Sequence, residues 1–67
     1  MAIADYSVWV RDGEGRTCCL HINGACIEEL VAAGASLDIA TEEIESIAFG
    51  NAIARNEIGS DAYSITP

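Results

Sequence analysis

Apolar and polar residues alternate over two short stretches near the start of the chain, and the spacing then lengthens to that of a helix. Tyr6-Ser7-Val8-Trp9-Val10-Arg11 is rich in aromatic and β-branched residues, and Asp12-Gly13-Glu14-Gly15 is dense in turn formers. An extended pattern then resumes over Arg16-Thr17-Cys18-Cys19-Leu20-His21-Ile22. This predicts a β-hairpin with a glycine-rich loop. Side chains alternate across a strand, so Tyr6, Val8 and Val10 share an apolar face with Cys18, Leu20 and Ile22. Ser7, Trp9, Arg11, Thr17, Cys19 and His21 make up a mixed face, with Trp9 read as a half-buried sheet residue in preference to an exposed anchor for a partner.

Asn23-Gly24 closes the hairpin, and Asn23 is placed to cap a helix over residues 25–33. Cys26, Ile27, Leu30 and Val31 fall in one arc of that helix, opposite Glu28, Glu29 and Ala32. Gly34 is suited to the left-handed conformation that ends it. Residues 35–40 read as a connector with Leu37 and Ile39 as core plugs. Thr41, followed by Glu42 and Glu43, marks the start of a second helix, since a hydroxyl cap and acids both favour a helix N-terminus. Ile44, Ile47, Ala48 and Ile58 share one side of it, and Phe49 and Ile53 form a second apolar stripe. That stripe is either wedged into the fold, with a possible break at Gly50, or offered to a partner. Gly59-Ser60 reads as the helix stop, and residues 62–66 as a last short strand.

The expected fold is a single α+β domain over residues 1–67 in the order ββααβ: a three-stranded antiparallel sheet with two helices packed on one face. At 67 residues and 51% apolar composition the chain is too hydrophobic for an acidic disordered tail, and small enough for its core to be marginal. Either a monomer or a homodimer is compatible with that size. No run approaches a membrane span, and the first residues lack the basic start and apolar core of a secretory signal. Cytoplasmic residence is therefore expected, and Cys18, Cys19 and Cys26, odd in number, suit a reducing compartment.

Charge sharpens the picture. Eleven acids stand against three arginines and no lysine, for a net charge of −8. From residue 25 onward, Glu28, Glu29, Asp38, Glu42, Glu43, Glu45, Glu57 and Asp61 face Arg55 alone. Such a surface repels nucleic acid and anionic membranes and is drawn to basic protein patches.

Signals for chemistry are thin, and no enzyme, cofactor or metal is expected. Cys18, Cys19, His21 and Cys26 lack the paired spacing of a zinc site, because adjacent strand residues point to opposite faces. A Cys19–His21 pair lacks an orienting third group and a positive environment to lower the thiol pKa. Asp12-Gly13-Glu14-Gly15 opens like a calcium loop but lacks its later ligands, so it reads as a hairpin turn. Paired carboxylates such as Glu42 and Glu45 need a cleft for acid–base work, and a helix-turn-helix reading would press Glu42, Glu43 and Glu45 against DNA phosphates.

Carboxylates three or four residues apart on a helix lie about 5–6 Å from one another, close to the separation of successive phosphates along a strand. A small, lysine-free, acidic ββααβ chain with a Glu42-Glu43 helix start resembles the anti-CRISPR proteins, several of which are acidic DNA mimics. The resemblance implies an inhibitor that binds a CRISPR effector at the basic surface that reads target DNA or its flanking motif. Its contacts would be Glu28, Glu29, Asp38, Glu42, Glu43, Glu45, Glu57 and Asp61. The alternative is an interaction module or antitoxin-like subunit that binds through Phe49 and Ile53.

Overall fold

The computed structural model describes residues 2–66. Strands β1 (Tyr6–Arg11) and β2 (Thr17–Ile22) form the hairpin, followed by helices α1 (Gly24–Ala32) and α2 (Leu37–Ala54) and a two-residue strand β3 (Tyr63–Ser64). The sheet is antiparallel in the order β2-β1-β3. The ββααβ order and the α+β class therefore stand as expected.

Hairpin register pairs Tyr6 with Ile22, Val8 with Leu20 and Val10 with Cys18 on the inner face. Val10, Leu20 and Ile22 are buried there with Ile27 of α1, Ala40 and Ala52 of α2, and Ile58. The opposite face stays open to solvent, and Trp9, 49% exposed, stands on it more accessible than a half-buried sheet residue. The Ile65 N–H donates to the Trp9 carbonyl at 2.9 Å, so the pairing of β1 with the last segment runs past β3.

Turn chemistry accounts for the hairpin. The Gly15 N–H closes a turn onto the Asp12 carbonyl at 3.0 Å, and Gly15 adopts φ 87°, a left-handed geometry that glycine takes without a steric penalty. The Asp12 Oδ1 accepts from the Glu14 N–H inside the same turn.

Helix α1 starts where expected: the Asn23 side chain accepts from the Ala25 N–H at 2.9 Å. The Asp5 carboxylate takes the Gly24 N–H at 2.8 Å, so two orphan donors at this terminus are satisfied by side chains. At its end, Gly34 at φ 112° lets the Ala35 N–H reach the Leu30 carbonyl and the Gly34 N–H reach that of Val31.

Helix α2 departs from the expectation at both ends. Its cap is Ser36, whose Oγ accepts from the Ile39 N–H at 3.3 Å, so Leu37, Asp38, Ile39 and Ala40 are its first turn rather than a connector. Leu37 and Ile39 project into solvent, and the core position is taken by Ala40. The helix continues through Gly50 without a break to Ala54, with Arg55 as its C-cap and Asn56, rather than Gly59-Ser60, as the residue that turns the chain away. Asn56 adopts φ 58°, and the Glu57 N–H reaches back to the Ala52 carbonyl. Ile58, beyond this cap, is a core plug in the following loop. Ile44 and Ala48 face inward as expected, whereas Ile47 points to solvent.

All three arginines stand at the hairpin-loop end of the molecule. Arg11 and Arg16 flank the loop, and Arg55 caps α2 next to Asn56, whose carbonyl accepts from Arg16 Nη1 at 3.4 Å. The molecule is elongated, 38 × 21 × 16 Å.

Candidate functional site

The eight acids singled out by charge divide into two groups of four. Glu28 is half-buried and its carboxylate accepts from the Ile3 N–H at 3.2 Å, fastening the N-terminal segment to α1. Glu45 accepts from the Tyr6 hydroxyl across the α2–β1 interface. Glu57 pairs with Arg55 at 3.0 Å, and Asp61 accepts from the Gly13 N–H at 3.1 Å. Glu28, Glu45 and Asp61 thus tie distant segments of the chain together, and Glu57 is paired locally with its neighbour Arg55. Glu29, Asp38, Glu42 and Glu43 are exposed, and among the described residues no ion pair or side-chain hydrogen bond engages them.

Three of the four free acids belong to the first half of α2. Asp38 and Glu42 are one helical turn apart and therefore neighbours on the helix surface. Asp38 also lies in the first turn, where the helix dipole favours a negative charge. The lack of lysine leaves these carboxylates without nearby counter-charge.

Two apolar surfaces flank the same stretch of α2. On one side a groove of about 290 Å³ runs between α2 and β3, floored by Val8, Val10 and Leu20 and walled by Phe49, with Glu42 and Glu45 at its mouth. On the other side Ile39 and Ile47 stand in the open with Glu42, Glu43 and Ser46 between them. The apolar stripe read from the sequence is thus divided. Ile53 and Phe49 are half-buried against the core, and Phe49 alone of the two lines the groove.

Tyr6 sits at the junction of sheet and groove. Burial of its ring, the hydrogen bond to Glu45 and the negative charge of that carboxylate all favour the protonated phenol, and its pKa is pushed up to about 12.

The residues of the catalytic and metal readings are dispersed. Cys18 turns inward, Cys19 is exposed on the open face, and Cys26 is half-buried on α1; all three are free thiols. Among the described residues no three His, Cys, Asp or Glu side chains converge as metal ligands. His21 lies beside Cys19 in a polar notch lined also by Asn51 and Arg55, and its Nε2 is 3.8 Å from Asp5 Oδ2, beyond hydrogen-bond reach. Both side chains of that pair are more than half exposed. The arrangement neither orients the imidazole nor presents it to the thiol.

Charge counting missed the exposure of Ile39 and Ile47, and it missed Asp12. Asp12 is 3% exposed, the only buried charged residue among those described. Its Oδ1 accepts from the Glu14 and Arg16 N–H groups at 3.0 and 2.9 Å, and its Oδ2 from Arg16 Nε at 2.9 Å and the Gly59 N–H at 3.0 Å. Burial pushes its pKa up, but the bonds from Gly59, Arg16 and Glu14 outweigh it and hold the carboxyl below the ordinary range. The loop that looked like the start of a calcium site is a hub joining the hairpin to the segment after α2.

No described helix is long and apolar enough to cross a membrane. Neither a protein-family model, nor a curated protein, nor a solved structure matches the chain.

Proposed function

We propose that this protein is a stoichiometric inhibitor of the anti-CRISPR kind, acting inside a bacterial cell by occupying the basic surface with which a CRISPR effector reads target DNA. The observation that carries the reading is the free acidic half of α2. Asp38, Glu42 and Glu43 are exposed on a rigid helix and unpaired among the described residues, in a chain whose three arginines lie at the other end of that helix. A carboxylate ladder of this spacing presents acceptors to arginines that otherwise hold phosphates, and bidentate pairing makes such contacts strong. The inhibitor then gains the counterion release that ordinarily favours DNA. No chemistry of its own is required, and none of the titratable clusters is built for any.

The test is phage plaquing on bacteria carrying active CRISPR systems of different types, with and without this protein. Rescue of a targeted phage in one type supports the proposal, and Glu42→Lys with Glu43→Lys should abolish that rescue while circular dichroism stays unchanged. Glu45 is left out of the reversal because it bonds to Tyr6. Failure to rescue in every type, or rescue untouched by the reversal, would refute it.

A further inference from the structure

We infer that the exposed face of α2 docks an amphipathic, basic helical segment of a partner protein, with Ile39 and Ile47 as its apolar anchors. The inference rests on the acidic-inhibitor reading and deepens it by naming the kind of surface that is met. Ile39 is 60% exposed and Ile47 54% exposed. They are eight residues apart, about 12 Å along the helix, on the side turned away from the core. Glu43 lies between them, and Glu42 and Ser46 complete the shallow depression they line.

A carboxylate ladder that met only phosphate-binding arginines would have no use for two large aliphatic side chains in its midst. Each exposes surface that would be better buried, and each stands within one turn of a free acid. An occupant must therefore offer apolar groups and cations at alternating positions. A basic amphipathic helix does this, with an apolar stripe flanked by lysine or arginine. A second copy of this chain does not, because its own Glu42 and Glu43 would be brought against those of the first. Anionic lipid and nucleic acid are repelled for the same reason. The apolar surface continues past Glu42 and Ser46 into the groove floored by Val8, Val10 and Leu20, so a docked helix has apolar contact on both sides of the acidic ridge.

The division of labour follows from the physics. The acids act at long range and are screened by salt, whereas burial of the isoleucines is not. The test uses two fluorescent synthetic helices of equal positive charge, one with a leucine stripe flanked by lysines and one with glutamine in place of leucine. Fluorescence anisotropy is read at low and high salt. The protein should bind the leucine peptide about tenfold or more tightly than the glutamine peptide, a preference that persists at high salt. Ile39→Ser with Ile47→Ser should erase the preference and leave the salt dependence as it was. Both side chains are more than half exposed, so the double variant should keep the native circular dichroism spectrum and thermal midpoint. Glu42→Gln with Glu43→Gln should flatten the salt dependence and keep the leucine preference. Equal binding of the two peptides, binding of neither, or a preference that survives the serine substitutions would overturn the inference. Salt-independent binding of the leucine peptide would instead count against the acidic-inhibitor reading.

Discussion

The Asp12 carboxylate accepts a hydrogen bond from the Gly59 N–H at 3.0 Å, across 47 positions of sequence. The same oxygen takes Arg16 Nε, so one side chain ties together the hairpin turn, the start of β2 and the segment that leads into β3. Gly59 is held close enough that a Cβ there would meet Asp61 Oδ1 at 2.8 Å and Asp12 Oδ2 at 3.2 Å.

Removing this carboxylate should cost more stability than removing any other acid in the chain. Asp12→Asn leaves buried N–H donors facing an amide, and the urea midpoint at neutral pH should fall further than for Glu29→Gln or Glu43→Gln. The loss is also pH-dependent. The folded-state pKa is depressed, so the stabilisation is fully present above the unfolded-state value, about 3.9, and disappears as pH falls through the folded-state value. The difference between wild type and Asp12→Asn in urea midpoint should therefore shrink as pH is lowered below about 4.

At the alkaline end the relevant group is Tyr6. Its folded-state pKa of about 12 is raised, so its contribution is complete below the unfolded-state value of about 10 and is lost as pH rises from there through the folded value. In a Tyr63→Phe background, tyrosinate absorbance should titrate near 12, and Glu45→Gln should bring the midpoint down. A midpoint unmoved by Glu45→Gln would show that burial alone raises it.

Two helical glycines should respond to alanine in opposite senses. A Cβ on Gly50 would meet nothing within 4 Å, so Gly50→Ala should stabilise the protein by about 1 kcal/mol through helix propensity. At Gly24 the added carbon would overlap the Ile3 carbonyl, and the Asp5 bond to its N–H would be displaced. Gly24→Ala should lower the denaturation midpoint, and both effects are measurable by chemical unfolding.

The true start of α2 is open to a direct check. Ser36→Ala removes the cap and should cost about 1 kcal/mol, whereas Thr41→Ala, inside the helix, should cost little or nothing. A larger loss at Thr41 than at Ser36 in urea unfolding would move the helix start back to where the sequence pattern alone puts it.

That pattern misled because Ser36 and Thr41 are both good caps, and Glu42-Glu43 mimics the acidic first turn that Asp38 in fact supplies. Leu37 and Ile39 then looked like core residues because they are apolar, although whether a helical position is buried depends on which way the helix is rolled on the sheet. The hairpin was legible to within a residue, since alternation and turn residues are local signals and the inner face is set by period-two pairing. Of the site, the acids were visible as charges. Their sorting into Glu28, Glu45 and Asp61, which tie distant segments together, Glu57, which pairs locally with Arg55, and Glu29, Asp38, Glu42 and Glu43, which stand free, depends for the first three on contacts from distant segments. Asp12 was visible only as a turn residue, because its long-range partner, the Gly59 N–H, is a backbone group that no side-chain pattern announces.

The confinement of Arg11, Arg16 and Arg55 to one end of an elongated molecule has an effect before any contact is made. At the hairpin tip the arginines are offset by Asp12, Glu14, Glu57 and Asp61, so that end is close to neutral, whereas uncompensated negative charge accumulates toward the far end of a helix some 27 Å long. The protein is therefore a permanent electric dipole as well as a net anion. In the field of a cationic surface it experiences a torque that swings the acidic end forward while the two molecules are still apart. Encounters then begin pre-aligned, and a fold of this size, with little room to enlarge its contact area, gains in the rate of productive collision.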